Sequence, residues 1–503
     1  MTKTQIIVDK RVVIDTNAKY NRAKIKSPIN KLLWFMLHEG ILMTYRKVMS
    51  TRFHKELSSK AKLIIVFGIE KESKQQVIAI GLQENYKNKL LSFYEPLILP
   101  VEEKDADKSI NDIYNWLMSN KDNKRFFVEY TPYNSTYDNL DLAKMNFQDA
   151  ELNSKPEFET VFEDLEMPKE TMKTSGNINK KHLFLIGCGS YSWSYILPMF
   201  KGKVHFDTCI DLSETTVLET YKKFNFSSYG SSYTEILETI KKHDNAVVVI
   251  ATYHSTHFNI ANEVYKANPS SWIFIEKPPI TTLTDLDSLI ALREQKAKIE
   301  IGYNRRYARN VQKIKEQLNK KTGPTTITCI VKEIELLESH WYYWPNQGTR
   351  VTGNLCHWLD LCQYFIDAEP VRIYVDSPDN VLAGDEAIAN VFYSDGSKVS
   401  IVSSDYGNDL RGVQEFIDIR KEDVTIKIDD FLKFSTQEGS RSRTKRYLLR
   451  DKGHKKMYKV FIDKVLKNQE DFYPNKDLDI TSKLYIAIVD QIKEKVERRN
   501  NRN

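Results

Sequence analysis

Three short stretches hold the residue types that do chemistry. In HLFLIGCGSYSWSYIL, Gly187, Gly189 and Ser192 are spaced Gly-x-Gly-x-x-Ser directly after an apolar run, with Ser190 and Tyr191 completing the loop. Such a loop brings backbone close to a pyrophosphate. The first glycine makes the tight bend and the second leaves room for the phosphates. The small third residue lets a helix pack on the strand with its N-terminus facing the anion. Asp211 ends the next apolar run, 24 residues after Gly187, where a carboxylate accepts hydrogen bonds from a ribose 2′-hydroxyl. It would repel a 2′-phosphate, so the spacing predicts NAD in preference to NADP. The second stretch, FIEKPP, sets Lys277 between Glu276 and Pro278. The third, RVTGNLCHWLD, sets His357 one helical turn before Asp360. Lysine and histidine are side chains able to move a proton. Read alone, Lys277 is a lysine closing a strand.

The elements that must position these residues follow from periodicity. Apolar runs at 182–187, 204–210, 246–251, 272–275 and 299–302 alternate with helical stretches at 192–200, 213–225, 233–242, 257–268 and 284–296. Strands buried on both faces with helices between them predict an α/β unit over 181–305, a Rossmann-type doubly wound parallel sheet. From Thr325 the pattern turns to long strands, 325–336, 371–377, 386–394, 398–406 and 413–420, with Asp395-Gly396 as a hairpin signal. One helix at 352–366 interrupts them and two more, 454–468 and 479–498, close the chain. This predicts a mostly antiparallel, open-sheet α+β domain over 306–503. Residues 1–26 read as a polar N-terminal arm and 166–180 as a linker. The segment between, 27–165, reads as an extra α+β domain with no chemical motif. It has helices broken near Gly40, apolar strand-like runs from Leu63, a helical stretch at 109–118 and a strand at 126–130.

Composition narrows the function classes. The chain has 503 residues with 41% hydrophobic and 28% charged, a globular balance that excludes global disorder. A net charge of +6 without a dominant basic patch gives no nucleic-acid reading. The five cysteines, Cys188, Cys209, Cys329, Cys356 and Cys362, contain no C-x-x-C pair, so no thiolate metal site is expected, and no other metal site either. They suit a reducing compartment. With no signal peptide and no apolar run of 18 residues, a cytoplasmic protein without a membrane span is expected.

Further segments carry a family resemblance. Val248 to His257 (VVIATYHSTH), Glu276-Lys277-Pro278 and Gly302 to Tyr307 (GYNRRY) occur in the order and spacing seen after the Gly-rich loop in the Gfo/Idh/MocA oxidoreductases, named for glucose–fructose oxidoreductase and inositol dehydrogenase. The chain resembles that family over about 181–500. His340-Trp341 and Asn346 to Asp360 resemble a segment typical of two-domain sugar oxidoreductases from bacterial polysaccharide clusters. The zinc-type alcohol dehydrogenase partner domain of those proteins finds no cysteines or second dinucleotide loop in the first 165 residues here, so no second activity is carried over.

The resemblance implies an NAD-dependent oxidoreductase working on a hydroxyl or keto carbon of a sugar, in nucleotide-linked form within surface polysaccharide synthesis. It implies that Ala251, Thr252, His257, Glu276 and Pro278 join the loop residues around the cofactor. Lys277 and His357 act on the substrate oxygen. Tyr303, Arg305, Arg306, His340, Trp341, Arg350 and Asn354 are candidate substrate-binding residues. It also implies a homo-oligomer, dimer or tetramer, formed through the open sheet. One departure stands out. The family's acid four residues before the histidine is Gly353 here, and the subgroup's Glu is Asn354; Asp360 is the candidate substitute, or else a helix residue bonded locally. That departure supports an alternative, a catalytically silent sugar-nucleotide-binding or scaffold protein. The aromatic run His340 to Trp344 suits either sugar stacking or burial, and the basic stretch Arg441 to Lys456 either a diphosphate grip or a solvated loop.

Overall fold

The computed structural model describes residues 5–15, 28–58, 61–70, 76–86, 89–90, 94–100, 157–160, 181–211, 214–230, 233–334, 342, 349–377 and 386–500. The expected helix at 109–118, strand at 126–130 and linker at 166–180 lie outside these residues.

A six-stranded parallel sheet holds the first chemical motif. Its order is Lys298–Ile301, Trp272–Ile275, Ala246–Ile250, His182–Ile186, His205–Ile210, Ser228–Gly230, with the first strand in sequence at the centre. This is the doubly wound order in which the chain reverses direction beside the first strand and opens a crevice at the strands' C-terminal ends. The runs Leu183–Ile186, Ala246–Ile250 and Trp272–Ile275 are buried throughout, as strands covered on both faces require. The short strand Ser228–Gly230 escaped the sequence reading because three half-polar residues give no apolar run.

The second domain is an eight-stranded sheet ordered Pro370–Asp376, Ala387–Tyr393, Lys398–Ser404, Thr325–Lys332, Gln414–Lys421, Val424–Asp429, Lys433–Glu438, Arg441–Arg446. Only Thr325–Lys332 and Lys398–Ser404 pair in parallel. Gly396, at φ +86°, makes the hairpin expected at Asp395-Gly396. Of the last three strands, Lys433–Glu438 and Arg441–Arg446 are too polar to alternate, while Val424–Asp429, whose Val424, Ile426 and Ile428 are buried, alternates but went unread. Arg441–Arg446 is the exposed edge strand, and its positive side chains guard that edge against pairing with another chain.

Helices tie the two sheets together. A wide turn at Val351–Leu355 leads into Cys356–Ile366, which packs against the long C-terminal helix Asn475–Asn500. The helix His454–Lys467 follows the second sheet but returns to the first, where Met457, Tyr458, Phe461 and Ile462 join Leu183, Val247, Trp272 and Phe274 in one core.

The N-terminal part contains an antiparallel sheet in which Gln5–Asp15 pairs with both Ala61–Glu70 and Glu157–Thr160. That strand falls within the stretch read as a polar arm, where Asp9, Lys10 and Arg11 interrupt the apolar pattern beside a break in register after Val8. The helices Pro28–His38 and Ile41–Ser58 reach the C-terminal domains: Glu39 accepts from Arg450, and Ser50 Oγ donates to Ser190 O at 3.2 Å. Among the described residues no helix is long and apolar enough to cross a membrane.

A buried polar cluster anchors the inner helices. Arg306 Nε lies 2.9 and 3.0 Å from the two carboxylate oxygens of Asp360, Arg306 also pairs with Asp477, and Tyr473 donates to Asp360 at 2.6 Å. Burial alone would lower the affinity of Arg306 for its proton, but Asp360, Tyr473 and Asp477 hold the guanidinium charged, well above its ordinary range. Removing one partner of such a pair strands a buried charge. Asp360→Ala is expected to cost about 3–5 kcal/mol, read as a fall in the urea midpoint, whereas a surface change such as Asp479→Ala should cost under about 1 kcal/mol.

Candidate active site

The Gly-rich turn has the geometry its spacing demands. Gly187 sits at φ +98°, and a Cβ there would lie 2.3 Å from the carbonyl oxygen of Ala251. Only glycine fits. At Gly189 an added Cβ would meet no protein atom within 4 Å, so that glycine faces open space where a pyrophosphate can approach. Ser192 Oγ donates to Gly187 O at 2.7 Å and locks the turn to the helix that follows. Asp211 Oδ2 accepts the Cys188 N–H at 2.6 Å, which holds the carboxylate beside the loop. Ser190 is exposed at the helix entry, and Tyr191 stacks on Tyr195 at 5.1 Å. A cradle open only on its ligand side fits a dinucleotide, with the loop residues to hold the pyrophosphate and Asp211 to hold the ribose.

The neighbouring strand ends complete the wall. His257 lies between two carbonyls, Nδ1 at 2.7 Å from Pro278 O and Nε2 at 3.1 Å from Thr252 O. Burial pushes its imidazole down to about 4, so it is neutral and clips the two loops together. Thr252 Oγ1 bonds Thr256 Oγ1 at 2.8 Å. The Lys277–Pro278 peptide is cis. The Glu276 carboxylate accepts from Tyr458, whose hydroxyl also reaches Tyr191 at 3.2 Å. Burial pushes the Glu276 carboxyl up to about 7, against the pull of Tyr458 and Lys277.

Lys277 crosses the cleft to the second domain, where its Nζ donates to Gly353 O at 2.7 Å. Burial lowers the ammonium below its usual range; Arg305 reinforces that, while Cys356 and Glu276 oppose it. His357 stands on the first turn of Cys356–Ile366, buried, with Nδ1 lacking any hydrogen-bond partner. Burial, then Arg305, Lys277, His454 and Lys452, hold it neutral, well below the ordinary histidine range. A neutral imidazole with an unused nitrogen and a lysine of weakened basicity are groups able to exchange a proton with a bound oxygen.

The glycine at 353 has a structural reason. A Cβ there would lie 2.7 Å from His254 Cε1 and 2.8 Å from the Tyr342 ring, so the place of the family's acid is taken by two rings. Asp360 does not replace that acid, since its oxygens are committed to Arg306 and Tyr473 and His357 Nδ1 has no partner. Asn354 bridges instead, accepting from Tyr342 at 3.2 Å and donating to Glu333 at 3.1 Å. Arg350 is buried, donates to Ile334 O at 2.8 Å and lies 3.8 Å from Glu333 and Asp405.

The two arginines expected at the substrate are held inside the protein. Arg305 donates to both oxygens of Glu415, at 3.2 and 2.9 Å, and Arg306 serves the Asp360 cluster. Tyr303 is fully buried with its ring 5.3 Å from Tyr473, so it offers no open surface. His340 and Trp341 lie outside the described residues. In the aromatic run Tyr342 packs against His254, with ring centroids 5.0 Å apart.

Several site residues had no signal in the sequence. Tyr458 meets Glu276 across 182 positions, and Glu415 meets Arg305 across 110. Lys452 and His454 lay in the basic stretch 441–456, but only the fold turns them inward. Lys452 pairs with Glu415 at 2.5 Å, and the His454 ring lies 4.6 Å from Tyr195. Lys47, from the N-terminal helices, lies 5.3 Å from the centre of the same Tyr195 ring.

A Gly-rich turn on a doubly wound sheet, facing a second domain that supplies a histidine, defines a dinucleotide-binding oxidoreductase fold. Residues 181–303 match the model of the oxidoreductase family with an NAD-binding Rossmann fold, GFO_IDH_MocA. The fold is similar to that of a dehydrogenase (MviM) from Clostridium difficile, at 16% identity over 62% of this chain and 99% of that one, TM-score 0.51. It is similar to UDP-N-acetylglucosamine 3-dehydrogenase GnnA from Acidithiobacillus ferrooxidans, at 17% identity over 61% and 96%, TM-score 0.52. It is also similar to myo-inositol dehydrogenase from Lactobacillus casei, solved with NAD(H) and myo-inositol, at 15% identity over 63% and 95%, TM-score 0.50. No curated protein matches the chain.

Two outcomes follow from the geometry. Gly189→Val should fold with an unchanged circular dichroism spectrum yet lose NAD(H) binding in calorimetry, because the new side chain enters only the ligand's space. Imidazole NMR should find His357 neutral from pH 6 to 8; a midpoint near the ordinary ~6.5 would mean that the ring is open to water.

Proposed function

We propose that the protein is an NAD-dependent oxidoreductase acting on a hydroxyl or keto carbon of a sugar, in nucleotide-linked form as a precursor of surface polysaccharide. The observation that carries this reading is Lys277 Nζ bonded to Gly353 O, in the turn that leads into the helix bearing the buried, unpartnered His357 Nδ1. Asp211 supports NAD over NADP by its charge at the loop. When bound, the dinucleotide would accept or deliver the hydride. The chain's own groups handle the proton. Lys277, fixed by Gly353 O, presents an ammonium whose lowered pKa eases proton exchange with a substrate oxygen. His357, kept neutral, is able to take a proton at Nδ1. The UDP-linked sugar named for the GnnA structure supports a nucleotide-sugar substrate.

A catalytically silent, sugar-nucleotide-binding protein is the second reading. It rests on Gly353, whose neighbours His254 and Tyr342 occupy the place of the family's acid. The two readings part on turnover. With a panel of nucleotide sugars and NAD(H), the enzyme reading expects cofactor reduction or oxidation with at least one substrate. Lys277→Met and His357→Ala should each then lower kcat by roughly a hundredfold or more, with NAD(H) affinity within a few-fold of wild type. Full turnover in both variants would sink the assignment, and no turnover with any sugar favours the silent reading.

The same reading includes a homo-oligomer formed through the large sheet. Cross-strand register places Phe416, Ile330, Val402 and Ile388 in one row. Ile330 is 54% exposed and Ile388 43%, on the face turned away from the core. Covering such a row with a second copy removes apolar surface from water. Sedimentation should show dimers or tetramers of the 58.8 kDa chain, and Ile330→Lys combined with Ile388→Lys should yield monomers.

A further inference from the structure

At the end of the parallel sheet opposite the Gly-rich turn, three of the chain's ten histidines gather on one carboxylate. His182 and His205 open adjacent strands and are paired in register. His243 sits on the turn into the third, where its carbonyl accepts the Ala246 N–H. The pairing of the first two strands slips after Leu183, so that Phe206 faces Leu183 and Thr208 faces Phe184, leaving Asp207 outside the ladder as a bulge. Bulges re-aim side chains, and this one sends the Asp207 carboxylate to the histidines. Its Oδ2 lies 2.9 Å from His182 Nδ1 and 3.8 Å from His243 Nε2. Its Oδ1 accepts from Thr208 Oγ1 at 2.8 Å, which fixes the carboxylate plane. Donor atoms of His182, His205 and Asp207 all fall within 4.8 Å of one another. The rings of His182 and His243 are 4.6 Å apart, and Ser227 Oγ holds Nε2 of His205 at 2.8 Å.

We propose that this cluster is a structural site for a zinc-type divalent cation, with Asp207, His182 and His205 as ligands and His243 as the fourth. Imidazole nitrogens and one carboxylate are the ligand types that zinc takes, and four of them suit its tetrahedral preference. Around bonds of ~2.0–2.1 Å the donors stand about 3.4 Å apart, and those of His182, His205 and Asp207 already lie within 4.8 Å of one another, with His243 Nε2 3.8 Å from Asp207 Oδ2. Thr208 and Ser227 supply the outer contacts that orient ligating groups. The side chains of His182, Asp207 and His243 are 17%, 13% and 29% exposed, which leaves an ion a way in. A strand of five residues at ~3.3 Å each separates the cluster from the Gly-rich turn by roughly 16 Å. The ion would therefore staple three strand starts without touching the dinucleotide.

The test uses the full chain, stripped with a chelator and titrated with zinc chloride by calorimetry. One ion per chain is expected at micromolar or tighter affinity, with a rise in Tm and no change in NAD(H) affinity. Asp207→Asn and His205→Ala should each weaken zinc by more than the roughly tenfold to hundredfold cost of losing an outer contact. Should either of these fail to fold, His243→Gln, at the most exposed ring, carries the comparison. Absence of zinc binding by the wild-type chain overturns the site, as does binding by folded variants at wild-type affinity. Binding that lowers Tm or NAD(H) affinity overturns the structural role.

Discussion

The carboxylate of Glu415 joins three separate segments of this molecule. It is fully buried on the second sheet, yet it receives Arg305 from the loop that ends the Rossmann unit and the Trp358 indole at 2.9 Å from the helix bearing His357. It also receives Lys452 from the segment entering the helix of Tyr458. Burial alone would raise its pKa, but Arg305 and Lys452 hold it well below the usual carboxylate range. A charge kept in the interior on those terms demands all its partners at once. Three elements from distant parts of the chain are thereby fixed around the cleft, and the position of His357 follows from its neighbour Trp358.

The same cluster explains the electrostatics of the cleft. Arg305 and Lys452 lie close enough to His357 and His454 to act with burial in keeping both rings neutral. Lys277 adds to that field and is itself weakened as a base by burial and by Arg305. The structural ion pair thus sets the proton affinities of groups it does not touch. It also accounts for an arginine in the GYNRRY segment whose guanidinium is turned to the interior. In this chain Arg305 and Arg306 bind the protein's own acids, Glu415 and Asp360.

Legibility in the sequence divides along contact range. The Gly-rich turn, Asp211 and the parallel sheet were readable because each depends on neighbours a few residues away, in an apolar strand, a tight turn and a helix start. Lys277 and His357 were readable through the family resemblance. Glu415, Tyr458 and His454 were not, because Arg305, Glu276 and Tyr195, which they respectively meet, lie more than a hundred residues off, and a lone glutamate or tyrosine on a strand or helix has no distinguishing spacing. Asp360 was misplaced for a related reason. Its position on the helix was right, but helical spacing cannot tell whether a carboxylate faces His357 or an arginine 54 positions earlier. Gly353 was legible as a departure, and its cause, the rings of His254 and Tyr342, only as packing.

The N-terminal helices change what counts as the site. Lys47 lies over the Tyr195 ring, which faces His454, and Ser50 is bonded to the backbone of Ser190 at the Gly-rich loop. Glu39 shares Arg450 with Asp430, and Arg450 stands two residues before Lys452. Burial alone would raise Glu39, yet Lys47 and Arg450 lower it, so the carboxylate stays charged and the contact stays ionic. A segment without a chemical motif is therefore linked, through Arg450 and the backbone that follows it, to the cluster around Glu415. Any displacement of those helices would be felt first at Ser190 and Tyr195 on one side and at Lys452 on the other. The first of these adjoins the Gly-rich turn and the second the Glu415 cluster.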